Sequence, residues 1–234
     1  MKLHEEVFMK KPFMIEYDQF HLEVQVKKLS REHFVRCMFQ GISTHKEAFN
    51  AIYRFFNEIE WFYSVKPRNA SGGHVDGVQA HLTYNVNCDA YLLRFEQLVL
   101  DTTQHRALGF FREAECNESP FYRFMCYRKV LETPFSKDEL PKKLVPWIDE
   151  KISNLESNVA RAFRDRHFRT LDDKSLADWL YESCRHPLSH AAKDLKVIDA
   201  SDYNDREDIK WANTVMKELA CKTITEILGV PSTP

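Results

Sequence analysis

The sequence has little glycine, no metal-binding cysteine pattern and no long apolar run. Only 6 of its 234 residues are glycine, which excludes collagen-like and glycine-linker designs. Its 6 cysteines include no C-x-x-C pair. This excludes zinc fingers and indicates reduced thiols. No run approaches about 18 apolar residues, and the N-terminus lacks a signal-peptide layout. We therefore expect a cytoplasmic protein with no membrane span.

Charge of neither sign dominates the chain. Lys and Arg total 33, Asp and Glu total 35, and the formal net charge is −2. This balance excludes a globally basic nucleic-acid coat, so a polyanion would have to be held by a local patch. Hydrophobic residues make up 44% of the chain, which is typical of a folded protein.

In the first half of the chain, apolar residues recur with two different spacings, one typical of strands and one typical of helices. Phe20, Leu22 and Val24 alternate with polar residues, which predicts a half-buried strand. Further strands are expected near 34–39, 78–84, 91–99 and 107–112. Apolar residues at three- and four-residue spacing predict a helix over 48–59. We therefore expect residues 1–118 to form an N-terminal α+β domain of unknown role.

The second half has a helical period throughout. A polar turn ending at Pro120 marks the expected boundary, since proline suits the first helical position. Helices are expected over 121–131, 152–163, 176–183 and 209–228, the last of them ending at Gly229. The predicted fold class is α+β, with an all-α helical bundle at residues 119–234.

The chemistry-bearing segment is Arg185-His186-Pro187-Leu188-Ser189-His190. A proline interrupts a helix, which would let the side chains of Arg185 and His190 converge. An imidazole exchanges protons near neutral pH, and a guanidinium binds two phosphate oxygens. Such a pair suits attack of a ribose 2′-hydroxyl on its own phosphodiester, and it requires neither a metal nor another cofactor.

These residues carry a resemblance to a known family. Arg185-His186-x-x-x-His190 resembles the R-φ-x₃-H form of the R-x₄₋₆-H motif of HEPN domains. The segment 119–132 is similar to the opening HEPN helix, and the segment from about 205 to 228 is similar to the closing one. The resemblance covers roughly residues 119–230. Within the superfamily, the chain most resembles bacterial proteins with an α+β module before the bundle, such as the MauJ-type group.

The resemblance implies roles and partners. Arg185 and His190 match the catalytic arginine and histidine, and His186 matches the polar residue that helps to shape the site. The family implies metal-independent RNA cleavage that leaves a 2′,3′-cyclic phosphate, or RNA binding without cleavage. It also implies a homodimer formed through the bundle. A toxin or phage-defence effector is the expected biological setting.

Two other functions remain open from the residues alone. His186 and His190 are spaced i, i+4 with Asp194 one turn further, so the three could hold the divalent metal of a hydrolase. Alternatively, the bundle is a non-catalytic dimeric scaffold and the first domain a sensor. Loss of activity in EDTA would favour the metalloenzyme.

A cluster of arginines gives a local positive patch. Arg161, Arg164, Arg166 and Arg169 lie within nine residues near the end of a predicted helix. They are candidates for binding an RNA backbone. The alternative is a solvated helix end whose cations complement the helix dipole.

Overall fold

The structure is a computed structural model that describes residues 13–25, 33–39, 45–72, 77–83, 97–167, 176–180 and 201–232. The chain divides into two compact units. The first comprises residues 1–112 with 232–234, and the second comprises residues 113–231.

The described residues of the first unit form a five-stranded antiparallel sheet. Its strands are β1 (Phe13–Tyr17), β2 (Phe20–Gln25), β3 (His33–Met38), β4 (Lys66–Gly72) and β5 (Gly77–Thr83), in the order β1-β2-β3-β5-β4. Each neighbouring pair is antiparallel. β4 contains Pro67 and is the last of the described strands in this order, which suits proline because it cannot donate a ladder hydrogen bond.

Helix α1 (His45–Tyr63) packs on the sheet. In β2, Phe20, Leu22 and Val24 are buried while His21 is exposed, as the alternation predicts. The helix contributes its apolar stripe to the same core. The cluster contains Ile15, Tyr17, Phe20, Leu22, Val24, Val35, Cys37, Phe39, Ala48, Ala51, Ile52, Phe55, Phe56, Ile59 and Val65.

The strand predicted at 107–112 is wrong. These residues lie inside helix α2 (Thr102–Cys116). Asp101 starts the helix, since its Oδ1 accepts hydrogen bonds from the backbone amides of Thr103 at 2.6 Å and Gln104 at 2.8 Å. The buried side chains follow a helical spacing, and the packing of this apolar face outweighs the low helix propensity of Gly109. They are Ala107, Leu108, Phe111, Ala114 and Glu115.

The second unit is helical within its described residues. It contains the end of α2, α3 (Pro120–Glu132), a π-helical turn (Leu140–Leu144), α4 (Val145–Ser153), α5 (Asn158–His167), the short α6 (Leu176–Asp178) and α7 (Tyr203–Lys222). A second π-helical turn (Thr223–Ile227) follows α7, and Gly229 takes a positive φ of 68° just after it.

Helix α7 is the central packing element of this unit. It contacts α3, α4 and α5. Its buried side chains, at three- and four-residue spacing, are Ile209, Ala212, Asn213, Val215, Met216, Leu219 and Ala220. The α+β module followed by a helical domain confirms the predicted fold class. The proposed boundary at residues 118 and 119 stays a prediction. No helix among the described residues is long and apolar enough to cross a membrane.

Candidate functional site

The predicted catalytic segment lies outside the described residues. Arg185, His186, His190 and the alternative metal ligand Asp194 all fall between residues 180 and 201. Along the chain they fall after α6 and before α7, both of which are described. The convergence of Arg185 and His190 therefore stays a prediction. Among the residues that the structure does describe, no group of three or more His, Cys, Asp or Glu side chains could hold a metal ion.

Three of the predicted RNA-binding arginines, Arg161, Arg164 and Arg166, belong to α5, and Arg169 comes two residues after it in the sequence. Arg161 is exposed and donates a hydrogen bond to Asn158 Oδ1. The side chain of Arg166 and all of Arg169 are outside the described residues. Their contact with RNA stays a prediction.

Arg164 is tied to the preceding helix. Its Nη1 donates to the backbone carbonyls of Ile152 and Ser153, both at 3.2 Å. Its Nε lies 2.8 Å from Asp165 Oδ1. Carbonyls at the end of a helix have no partner within the helix, so Arg164 stabilises the C-terminal end of α4.

Three helices of the second unit meet at a buried carboxylate. Glu115 on α2 accepts a hydrogen bond from the hydroxyl of Tyr127 on α3. Lys217 on α7 places its Nζ 2.9 Å from Glu115 Oε1, and Arg123 Nη2 lies 3.8 Å from the same oxygen. Arg123 also donates to the Tyr127 hydroxyl at 3.3 Å. We call these four residues the Glu115 centre.

Burial determines the electrostatics of the Glu115 centre. The side chain of Glu115 is only 5% exposed, and a buried carboxylate needs paired charges to offset its lost hydration. Burial, together with the charge and hydrogen bond of Glu115, raises the pKa of Tyr127, so its hydroxyl keeps its proton and acts as a donor. Two cations, Lys217 and Arg123, therefore lie beside one buried carboxylate where α2, α3 and α7 meet.

A second buried carboxylate lies in the first unit. Glu58 on α1 accepts hydrogen bonds from the Tyr17 hydroxyl and from the Leu98 backbone amide, the latter at 3.4 Å. Nearby, Asp18 forms an ion pair with Arg54 at 2.8 Å and exchanges two hydrogen bonds of 2.8 Å with the side chain of Gln97. These contacts fasten the segment beginning at Gln97 to the β1–β2 turn and to α1.

Sequence reasoning found neither carboxylate centre. Residues 115, 127 and 217 are brought together only by tertiary packing, and Tyr17 and Glu58 are 41 residues apart. One signal was available for Glu58, because the apolar face of α1 includes an acidic residue at a position that must be buried. A carboxylate on such a face requires a buried donor.

The described architecture is that of an α+β module followed by a helical domain. The family model described as "Methylamine utilization protein MauJ" matches residues 107–225, and the chain belongs to this family. The match covers just over half of the chain, begins within α2 and includes the segment 185–190. It confirms the predicted resemblance to the MauJ-type group. Comparisons with curated proteins and with solved structures found no match.

Proposed function

We propose that the helical domain is a HEPN domain that binds RNA and cleaves it without a metal ion. The observation that carries this proposal is the sequence Arg185-His186-x-x-x-His190, which has the R-x₄-H form and lies within the segment matched by the family model. The helices α3 and α7 would be the opening and closing helices of that domain.

The proposed reaction needs only the two side chains and water. His190 accepts the proton of the ribose 2′-hydroxyl, whose oxygen forms a new bond to the adjacent phosphorus. Arg185 stabilises the negative charge that accumulates on the phosphoryl oxygens. The bond from phosphorus to the 5′-oxygen then breaks, and that oxygen takes a proton from solvent. The products are a 2′,3′-cyclic phosphate and a 5′-hydroxyl end.

The surroundings of the motif have proposed roles too. His186 would shape the site beside the catalytic pair, and Arg161, Arg166 and Arg169 would contact the RNA backbone, while Arg164 holds the end of α4. A homodimer through the helical domain would place two motifs together. The proposed setting is a cytoplasmic toxin or phage-defence effector.

Cleavage of a labelled single-stranded RNA by the purified full-length protein tests the proposal. We expect cleavage with and without EDTA, and products that end in a 2′,3′-cyclic phosphate. His190→Ala and Arg185→Ala should each lower the rate by about 100-fold or more. His21→Ala is the matched control, because His21 lies on the exposed side of β2 in the other unit.

Two results would contradict this function. Full activity of His190→Ala would exclude the imidazole as the base. Activity that disappears in EDTA and returns with a divalent metal would favour the hydrolase that uses His186, His190 and Asp194.

A further inference from the structure

A short segment without regular secondary structure leads into helix α2 in the first unit. It comprises residues 97–101, and we call it the 97–101 strap. Val99 in its middle is fully exposed, while the residues on either side of Val99 are half-buried. Among the described residues, the strap forms hydrogen bonds outside itself and α2 with only two residues, Asp18 and Glu58. The strap is therefore held by few contacts.

The strap closes over a buried carboxyl group. The backbone amide of Leu98 donates to Oε2 of Glu58 at 3.4 Å, which is long for a hydrogen bond from an amide. Oε1 of the same carboxyl accepts from the Tyr17 hydroxyl, and neither of these two side chains is exposed to solvent. Because Leu98 is itself half-buried, it lies between Oε2 and solvent. The strap thus gives Glu58 one weak donor and keeps water away from it.

Among the described residues, no ion pair joins Glu58 to a cation. Arg54 lies one turn earlier on α1, but its Nη2 is 2.8 Å from Oδ2 of Asp18, so its charge is already paired. On β1, burial and the charge of Glu58 raise the pKa of Tyr17, so its hydroxyl is neutral. On α2, burial and the charge of Arg54 lower the pKa of His105, so it is neutral too. A negative charge on Glu58 is therefore unfavourable under the closed strap.

The protonation of Glu58 is coupled to the position of the strap. Under the closed strap, burial raises the pKa of the carboxyl group to about 7. An open strap would let water reach Oε2 and replace the Leu98 amide, so the pKa would move back towards the ordinary 4.5. Opening then releases a proton between these two values. The equilibrium constant for opening therefore rises with pH up to about 7 and is constant above it.

We propose that the 97–101 strap is a proton-controlled latch, which is closed over Glu58 when this carboxyl group is protonated and opens when it is ionised. Opening separates Gln97 from Asp18 and exposes the apolar side chains on either side of Val99. All of these residues belong to the first unit. The latch would make that unit a pH sensor whether or not the helical unit cleaves RNA.

Hydrogen exchange of the Leu98 backbone amide in the full-length protein tests the latch. NMR gives the exchange rate at several pH values, and comparison with the intrinsic chemical rate gives a protection factor that is corrected for the chemistry of exchange itself. The protection factor should fall by at least about tenfold as pH rises from 5 to 7.5. The fall should not exceed about 300-fold, which corresponds to the full difference between pKa values of 4.5 and about 7.

Three variants separate the titrating group from the contacts of the strap. In Glu58→Gln the protection factor of Leu98 should stay within about twofold over the same pH range, since glutamine does not titrate. Glu16→Gln is the matched control, because Glu16 is exposed on β1, and it should keep the pH dependence of the parent protein. Gln97→Ala removes both hydrogen bonds to Asp18 and leaves Glu58 in place. It should lower the protection of Leu98 roughly two- to tenfold at every pH and keep the same fall.

The Phe55 amide distinguishes local opening from unfolding. Phe55 is fully buried on α1, so its amide exchanges when the first unit unfolds. Leu98 should be at least about tenfold less protected than Phe55 at every pH. Equal protection at the two amides would overturn the latch, because the strap would then open only on unfolding. Protection of Leu98 that is constant or rises with pH would also overturn it, and so would an unchanged pH dependence in Glu58→Gln.

Discussion

The hydroxyl group of Tyr17, on strand β1, donates a hydrogen bond to Oε1 of Glu58, on helix α1. Glu58 is fully buried, and burial raises the pKa of its carboxyl group to about 7 from the ordinary 4.5. The hydrogen bonds from Tyr17 and Leu98 act in the opposite direction but are outweighed. The first unit therefore contains a core carboxyl group that titrates near neutral pH.

Glu58→Gln is expected to change how the stability of the protein depends on pH. Because the pKa of Glu58 is raised in the folded state, its favourable contribution is complete below about pH 4.5 and is lost as pH rises through about 7. Glutamine does not titrate. The free energy of unfolding of the variant should therefore rise relative to the parent protein from pH 5 to pH 8, by up to about 3 kcal/mol.

Urea unfolding at several pH values in this range measures the effect. Glu16→Gln serves as the control, since Glu16 is exposed on the same sheet. Its free energy of unfolding should differ from that of the parent protein by a similar amount at each pH. Parallel pH curves for Glu58→Gln and the parent protein would contradict a raised pKa at Glu58.

Tyr127→Phe is expected to destabilise the helical unit. The change removes the hydrogen bond to Glu115, and hydrogen bonds to charged groups contribute about 1.5–3 kcal/mol. Combined with Glu115→Ala, which removes the acceptor, in a double-mutant cycle, it should show a coupling energy of about 0.5–3 kcal/mol, because the two side chains are in direct contact. Urea unfolding provides the four free energies.

Tyr203→Phe is the control for this cycle. Its side chain is exposed, so removal of the hydroxyl should change the free energy of unfolding by less than about 0.5 kcal/mol. A coupling energy near zero between residues 115 and 127 would mean that the hydrogen bond contributes nothing to folding.

The sequence predicted elements whose burial follows a regular period. The alternation in β2 and the stripe in α1 each have one face against the core, so each shows a clear pattern. β4 has no such pattern, because Lys66–Gly72 consists mainly of polar and small residues. It forms a strand through its pairing with β5. Helix α2 was missed because Gly109 and two adjacent phenylalanines reduce the helical propensity of its middle.

Among the candidate sites, those formed by residues close in sequence could be predicted, and those assembled by tertiary packing could not. The segment 185–190 is local in sequence, so a pattern could identify it. The Glu115 centre combines residues from three helices, and no spacing along the chain predicts that Lys217 reaches Glu115. Arg164 belonged to a local charge pattern, but its contacts with Ile152 and Ser153 depend on the turn between two helices.

Arg164→Ala and Arg161→Ala are expected to have different effects. Arg164→Ala removes two hydrogen bonds from the end of α4 and should lower the free energy of unfolding by about 1–2 kcal/mol. Arg161 is exposed, so Arg161→Ala should change stability by less than about 0.5 kcal/mol. If the RNA proposal is right, Arg161→Ala should also weaken RNA binding and reduce its salt slope by about 0.7.

Thermal unfolding and an RNA-binding assay separate these two roles. Unchanged stability of Arg164→Ala would contradict its capping role at α4. Unchanged RNA affinity and salt slope for Arg161→Ala would remove Arg161 from the proposed RNA-binding residues.

Asp202→Ala is expected to loosen the N-terminal end of α7. The side chain of Asp202 accepts a hydrogen bond from the Asp205 backbone amide at 3.0 Å and so caps the helix. Loss of such a cap costs about 1 kcal/mol, whereas asparagine caps a helix about as well as aspartate. Asp202→Ala should lower the free energy of unfolding by about that amount, and Asp202→Asn should restore most of it. Equal stability of the two variants in urea unfolding would contradict the cap.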